Sequence, residues 1–451
     1  MSRPAKTARE VAHRVLRRVE AGSYASLALG GELERADLSA ADRRLATEIV
    51  YGVLRQMRRI DRALGAFARR GIGKLQPGVR AALRAGAYQI LFLDRVPAHA
   101  AVNDAVSAAR KLGGPKVGGF VNGVLRSLAR DGEPPLPDAE VEPRAHAEVV
   151  CSLPGWIAAR LEAAVGEGEL LQAAAALSES APLVARANTL RASPEQVTRV
   201  LAEEGARVEA LSLCPEALEV AGLGDPERSE SFGRGLWTVQ DVAAQLVGHM
   251  LAPAPGARVL DACAGVGGKS THLAQLMGTD GRIDAADSSA RKLDLLRDTA
   301  RRLGAADAIH PVEVDLSVPG DRLAASYDAI LLDAPCTGLG VLRRHPESKW
   351  RVTERDVADM ASLQRALLDA LVDRLAPGGV LVYSVCTFTA EEGPEQIARL
   401  LRDHPELAIE APPAADDGPP WLKILEADHS LRTWPHRHGA DAFYAARLRR
   451  A

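Results

Sequence analysis

No stretch of the sequence approaches the ~18 consecutive apolar residues that a membrane-spanning helix needs, and no apolar signal-peptide core follows its polar first residues. A transmembrane protein is excluded on that pattern, and a cytoplasmic one is expected. Cys-x-x-Cys pairs are also missing. The five cysteines (Cys151, Cys214, Cys263, Cys336, Cys386) are odd in number and widely spaced, which supports neither a disulfide framework nor a structural zinc site. Net charge is nearly absent, at −3 over 451 residues. The composition, 47% hydrophobic and 25% charged, is that of a globular chain. At about 100–200 residues per domain, the length predicts roughly two to four domains.

The near-neutral total hides an asymmetry. Residues 1–136 carry 24 Lys and Arg against 12 Asp and Glu, whereas the remainder carries 32 against 47. Such a split points to a polyanion-binding module joined to something else, with compositional drift in an Ala- and Arg-rich chain as the alternative.

Periodicity places helices throughout residues 1–133. Val11, Val15 and Val19 form one apolar stripe, with Arg14, Arg17 and Arg18 off it. Ser39-x-x-Asp42 resembles a capping box ahead of Leu45, Ile49 and Val53. Further helices start after Pro77 and at Pro97, the latter closed by Gly113-Gly114, and a last one holds Phe120–Arg126. A small all-helical domain follows from this. Residues 132–146, with four prolines, read as a linker. Residues 147–235 are mixed: helical at Trp156–Val165 and Pro194–Glu204, strand-like at Leu183–Asn188.

Residues 236–451 alternate strands and helices. Strands are expected at Arg258–Ala262, Arg282–Asp287, Ile309–Asp315, Tyr327–Asp333 and Val380–Ser384, and helices at 270–277, 289–303 and 356–375. That order implies βαβ units in a parallel sheet, with ligands bound at the carboxyl ends of its strands.

The first of these strands enters Cys263-Ala264-Gly265-Val266-Gly267-Gly268-Lys269, a glycine-rich turn that lets a ligand approach the backbone. A P-loop is excluded, because Cys263 stands where its first glycine belongs. Asp287 ends the next strand, 19 residues past the turn, where an acid meets ribose hydroxyls in dinucleotide folds. Asp315 and Asp333 end the two after it. Three acids would repel a polyphosphate but suit a nucleoside with a cationic centre, such as S-adenosylmethionine. A metal held by the same acids is the alternative, with no histidine beside them to favour it. Cys336 and Cys386 each follow a strand end, and adjacent strands would turn both thiols into one crevice. Each alone is as well explained by burial. A methyl donor beside a thiol points to methylation at C5 of a pyrimidine, where addition of the thiol at C6 activates a poor nucleophile.

These runs, with Asp333-Ala334-Pro335-Cys336-Thr337-Gly338-Leu339-Gly340, Arg343-Arg344-His345-Pro346-Glu347-Ser348-Lys349-Trp350 and Tyr383-Ser384-Val385-Cys386-Thr387, resemble the Sun-type RNA cytosine-C5 methyltransferases. Among them the chain is most similar to the RsmB type, which acts on small-subunit (16S) rRNA. The resemblance covers almost the whole chain. Gly52–Arg55, Val96–Asn103 and Gly119–Arg126 are similar to a NusB-like RNA-binding domain, and Trp237–Asp241 to the entry motif of the catalytic domain.

The resemblance implies a helical NusB-like domain over 1–133, a small α/β RNA-binding-like domain over 147–235 and a Rossmann-like class I methyltransferase domain over 236–451. It makes Cys386 the nucleophile at C6 and Cys336 the cysteine that assists product release. Residues 263–269, Asp287, Asp315 and Asp333 become the S-adenosylmethionine positions, with Asp333 also available to the target cytosine and Lys269 facing the base. No metal is implied, and the partner is 16S rRNA, naked or in an early assembly intermediate, bound by a monomer. The same chemistry on tRNA, or a non-catalytic assembly factor with a degenerate methyltransferase domain, remains open.

The chain departs from the family pattern at Val266, where the turn usually has proline, at Val385, usually threonine, and at Gly393, commonly asparagine. None of these removes a reacting group. An acidic catalytic half that admits RNA needs a local basic lip, for which Arg343, Arg344, Lys349 and Arg351 are the candidates.

Overall fold

Helix caps and apolar stripes act first. The computed structural model describes residues 4–68, 71–278, 280–318, 322–413 and 419–451. It divides into two compact units, one of Met1–Glu179 with Leu342–Val352, the other of Ser180–Val341 with Thr353–Ala451.

The first unit is built from α1 (Ala8–Glu20), α2 (Ala25–Arg35), α3 (Ala40–Gly65), α4 (Pro77–Phe92), α5 (Ala98–Asp131), α6 (Pro143–Val149), α7 (Gly155–Val165) and α8 (Leu170–Ser178). Val11, Val15 and Val19 are buried in its core. Ser39 caps α3, its Oγ accepting from the Asp42 N–H at 3.1 Å. The Gly113-Gly114 pair breaks α5 into two arms, with Gly114 at φ +74°. At Gly52 a Cβ would stand 1.9 Å from Tyr88 Cζ, so α3 and α4 cross this closely only with glycine there.

A kink at Gln56 interrupts the hydrogen-bond ladder of α3 and redirects its backbone groups. The Arg58 N–H donates to Ser152 Oγ at 2.9 Å instead of to the preceding turn. The Leu54 carbonyl accepts from Trp350 Nε1 at 2.7 Å, and the Arg55 carbonyl from Lys349 Nζ at 2.8 Å. Residues 342–352 therefore complete the helical unit by satisfying groups that its own helices leave open.

The second unit holds two sheets. The smaller comprises β1 (Leu183–Ala187), β2 (Arg207–Ala210), β3 (Ala217–Ala221) and β4 (Trp237–Val239) in the order β2-β3-β1-β4, all antiparallel. Helix α9 (Pro194–Glu203), opened by a Ser193/Gln196 capping box, packs on it, and α10 (Glu230–Gly233) precedes β4.

The larger sheet contains β5 (Arg258–Asp261), β6 (Arg282–Asp287), β7 (Ile309–Glu313), β8 (Tyr327–Asp333), β9 (Leu375–Val385), β10 (Leu407–Ile409), β11 (Leu431–Thr433) and β12 (Phe443–Arg450). Its order is β10-β12-β9-β8-β5-β6-β7, with β11 also paired to β12. Helices α11 (Val242–Leu251), α12 (Gly268–Met277), α13 (Ala290–Leu303), α14 (Glu354–Val372), α15 (Pro394–Asp403) and α16 (Pro435–His438) complete the unit. Strands β5–β9 are parallel, as their alternation with helices predicts. The sheet as a whole is mixed, because β12 runs antiparallel to β9 and pairs β10 and β11 the same way. Two of those strands are only three residues long, and Arg447 is buried within the third, so none shows the apolar run of an inner strand. No helix among the described residues is long and apolar enough to cross a membrane.

Candidate active site

The site lies at the carboxyl ends of β5, β6, β8 and β9. The turn after β5 needs glycine twice: Gly265 has φ +56° and Gly267 φ +87°. A Cβ on Gly267 would also stand 2.8 Å from Leu296 Cγ. Asp261, fully buried at the end of β5, accepts from Ser270 Oγ at 2.6 Å, and burial pushes its carboxyl up to about 6. Asp287 closes the other side of the turn. Its Oδ2 accepts from the Gly265 N–H at 3.1 Å and from Lys292 Nζ at 3.3 Å.

Strands β8 and β9 are parallel neighbours with Asp333 opposite Ser384, so the residues that follow them emerge side by side. The Cys336 and Cys386 sulfurs are 3.2 Å apart. The hydrogen bond to Cys386, together with burial, pushes the Cys336 thiol well up, so Cys336 holds its proton. Asp333 Oδ2 accepts from Lys269 Nζ at 2.5 Å, and Oδ1 accepts from Ser384 Oγ at 2.8 Å. Burial pulls Lys269 down, but the charge and hydrogen bond of Asp333 outweigh it, and Lys269 stays above its ordinary value. Burial, and then the charges of Asp261, Asp333 and Asp287, push the Cys263 thiol up.

A cavity of about 380 Å³ joins these groups; Cys263, Asp287, Asp315, Asp333, Cys336 and Cys386 all line it. That volume is in the range of small-molecule sites. Asp315 lies two residues past the end of β7, exposed, its carboxylate accepting from the Ser317 N–H and hydroxyl. Ala264, Gly265, Val266, Gly267 and Gly268 shape the turn without lining the cavity, and Val266 is half-exposed. Val385 is fully buried in the sheet's core, where an apolar side chain fits.

Three supporting residues escaped the sequence reading. Buried Glu392 ties the two cysteine loops together. Its carboxylate accepts from the Thr337 N–H (2.8 Å), Thr337 Oγ1 (2.6 Å) and Thr389 Oγ1 (2.8 Å). Gly340 lets its loop touch the nucleophile's backbone: its N–H donates to the Cys386 carbonyl at 2.9 Å, and a Cβ there would collide with the Ala442 carbonyl. Arg186, on β1, donates to the Gly268 carbonyl at 2.8 Å and to Thr271 Oγ1 at 3.1 Å, bracing the first turn of α12 from another sheet. Glu392 and Gly340 stand inside or next to quoted motifs, but nothing in the sequence links Arg186 to the glycine turn.

Comparison with known proteins gives three family matches. Residues 248–449 match the 16S rRNA methyltransferase RsmB/F family, 6–130 the NusB family, and 153–225 the ferredoxin-like domain of RsmF/B-like methyltransferases. The chain is 37% identical over 448 residues to the probable ribosomal RNA small subunit methyltransferase B of Synechocystis, covering 99% of this chain and all of that one. The chain belongs to the RsmB/F family of 16S rRNA methyltransferases. Its Bacillus subtilis relative of the same name is 32% identical, with 98% of each chain covered. Among solved structures, PH0851 superposes with a TM-score of 0.81 at 27% identity over 99% of this chain and all of that one. A methyltransferase homolog from Pyrococcus horikoshii gives 0.58 at 28% identity, over 68% of this chain and 98% of that one. In this RsmB/F chain the helices within residues 6–130 and the mixed sheet are accordingly the NusB-like and methyltransferase folds.

The expected basic lip is overturned at Lys349 and Arg343. Lys349 and Arg343 are buried within the first unit, Lys349 capping the Arg55 carbonyl and lying 5.2 Å over the Trp350 ring. Arg344 is half-buried, and exposed Arg351 packs over Tyr24 at 4.8 Å. These cations belong to the packing of the insert, where the α3 kink offers carbonyls to satisfy.

Proposed function

We propose that this RsmB/F protein transfers a methyl group from S-adenosylmethionine to C5 of a cytosine in 16S rRNA, through a covalent bond between Cys386 and C6 of the base. The observation that carries this reading is the 3.2 Å approach of two thiols at the edge of a cavity that three acids also line. Unaided, C5 of cytosine is too weak a nucleophile. Addition of the Cys386 thiolate forms an S–C6 bond and makes C5 enamine-like. After methyl transfer a base takes the C5 proton, the electron pair of that C–H bond re-forms the C5=C6 bond, the S–C6 bond breaks, and both the aromatic ring and the thiolate are restored.

Cys386 is the nucleophile in this scheme, and Cys336 assists release. A thiol held protonated is a poor nucleophile, which leaves the bond to carbon to Cys386. Asp333, paired with Lys269, serves the cofactor or the amino edge of cytosine, and Lys269 is assigned to face the base.

The donor set fits the cofactor. Asp287 and Asp315 offer acceptors for hydroxyls and a base edge, acids favour a cationic sulfonium, and Cys263 brings the first residue of the glycine turn to the cavity. When bound, S-adenosylmethionine supplies an electrophilic methyl group. The basic helical domain and the small α/β domain hold rRNA by its phosphates, and the target base is withdrawn from any stack before it reacts. A cytoplasmic monomer acting on naked rRNA or an early assembly intermediate completes the reading.

Tritiated-methyl transfer to 16S transcripts and to tRNA, followed by bisulfite mapping, tests it. Label in 16S alone, at one bisulfite-resistant cytosine, is expected. Label in tRNA alone, in neither RNA, or at a position other than C5 would overturn it.

A further inference from the structure

Apart from the active-site cavity, one cluster among the described residues of the second unit gathers metal-ligating side chains. Two successive turns between β2 and β3, closed by the Cys214 N–H to the Leu211 carbonyl (3.4 Å) and the Ala217 N–H to the Cys214 carbonyl (3.1 Å), bring Cys214 and Glu216 together. Cys214 Sγ is 3.1 Å from Glu216 Oε2, and His249 Nε2, on α11, is 3.0 Å from the same oxygen. The three ligand atoms lie within 4.8 Å of one another. Around a tetrahedral zinc with bonds of about 2.0–2.3 Å, neighbouring ligand atoms sit roughly 3.2–3.8 Å apart, so small adjustments suffice.

A second observation is independent of that triad. His272, on α12, is fully buried, and neither ring nitrogen has a hydrogen-bond partner. Its Nε2 faces the other oxygen of Glu216 at 3.6 Å, too far for a hydrogen bond, and it stands outside the 4.8 Å triad, so it has to move inward to ligate. Gly248 on α11 admits the ring, since a Cβ there would stand 2.6 Å from His272 Nδ1. A buried, unpartnered imidazole costs free energy that ligation would offset.

His249 pairs with Glu216, but that contact leaves the His272 ring without a partner. Arg186 is the nearby cation, but its guanidinium donates to Gln240, the Gly268 carbonyl and Thr271, not to Glu216. Gln245 supplies an outer contact, its Oε1 3.4 Å from Cys214 Sγ and its Nε2 donating to the Gln240 carbonyl at 2.9 Å. Thiolate, carboxylate and imidazole are all ligands that Zn²⁺ takes, and one thiolate with one carboxylate neutralises its charge once the thiol proton has left to solvent.

We propose that Cys214, Glu216, His249 and His272 bind a zinc(II) ion that fastens the small antiparallel sheet to α11 and α12. The ligands are scattered over 214–272 with no repeated spacing, which hides the site from any motif search. Since α12 begins at the glycine turn, the metal would also anchor the floor of the candidate cofactor site from outside it.

Two measurements on the full-length protein test this. Elemental analysis after expression in zinc-supplemented medium is expected to give roughly one zinc per chain, and titration of stripped protein with Co²⁺ a near-ultraviolet thiolate charge-transfer band. Both are lost in Cys214→Ala and in the less buried His249→Gln, and chelation lowers the unfolding temperature of the wild type but not of either variant. Wild-type protein that holds neither zinc nor a Co²⁺ band overturns the proposal. So does a band that survives Cys214→Ala, since the metal would then sit on other cysteines. Should Cys214→Ala fail to fold, the wild-type titration and His249→Gln decide.

Discussion

Glu392 Oε2 accepts a 2.6 Å hydrogen bond from Thr337 Oγ1, and through that contact one buried carboxylate fixes the loop after β8 to the loop after β9. Each loop carries one of the paired cysteines. Glu392→Ala strands the Thr337 N–H and the hydroxyls around it, at about 1–3 kcal/mol for each unsatisfied buried group. Displacement of the thiols by about 1 Å costs on the order of 10²-fold in rate. Steady-state methylation should show kcat falling by about that factor with KM for the methyl donor little changed, and Glu392→Gln should fall between.

The two cysteine variants separate the roles. Cys386→Ala should abolish methyl transfer and form no protein–RNA adduct. Cys336→Ala should accumulate an adduct that survives a denaturing gel, because the bond forms and is not released. Full activity in the first, or no adduct in the second, contradicts the assignment.

Arg186 tests positioning at a distance from the chemistry. Arg186→Met removes the donor to the Gly268 carbonyl and frees the start of α12. KM for S-adenosylmethionine should rise by roughly tenfold, equivalent to about 1.4 kcal/mol, while kcat at saturation changes less. A fall in kcat with KM unchanged would point to a different role.

Lys349 gives the first unit a pH signature. Burial, with a smaller push from Arg55, lowers Lys349 to about 7, against a smaller opposing effect of Cys151. Between that value and the ordinary lysine value of about 10.4, the unfolded chain binds a proton that the folded chain does not. Stability should therefore rise with pH across that window, by an amount on the order of a few kcal/mol, and the full penalty should apply below it. Thermal unfolding from pH 6.5 to 10 should show the rise, and Lys349→Met should flatten it.

Two glycines make a matched pair. Gly52→Ala drives a methyl into the Tyr88 ring and should cost about 1–3 kcal/mol, despite the better helix propensity of alanine. Gly123→Ala, with no atom within 4 Å of the new Cβ, should stabilise by up to about 1 kcal/mol. Denaturant melts of the two variants give opposite signs on this account.

The helices of the NusB-like domain, strands β5–β9 and the place of each thiol after a strand end were legible because each rests on local pattern: an apolar stripe, a cap, a strand followed by a turn. The antiparallel edge was not, since β10 and β11 are too short to show a period and β12 buries Arg447 against Glu410 and the Met250 carbonyl. Arg186 and Glu392 act through contacts that only the folded chain creates. Lys349 misled for a similar reason. A cation within a basic, polar run reads as exposed, and nothing local announces that a kinked helix elsewhere holds a carbonyl waiting for it.

That kink also has a bearing on synthesis. The Leu54 and Arg55 carbonyls accept from Trp350 and Lys349, nearly three hundred residues downstream. At a translation rate of about 5–20 residues per second, the helices up to Glu179 would leave the ribosome roughly 10–30 s before residue 352 is made. During that interval the nascent domain must keep a groove open for its own later segment. A truncation ending at residue 179 would preserve every helix of the domain and still lack a finished surface.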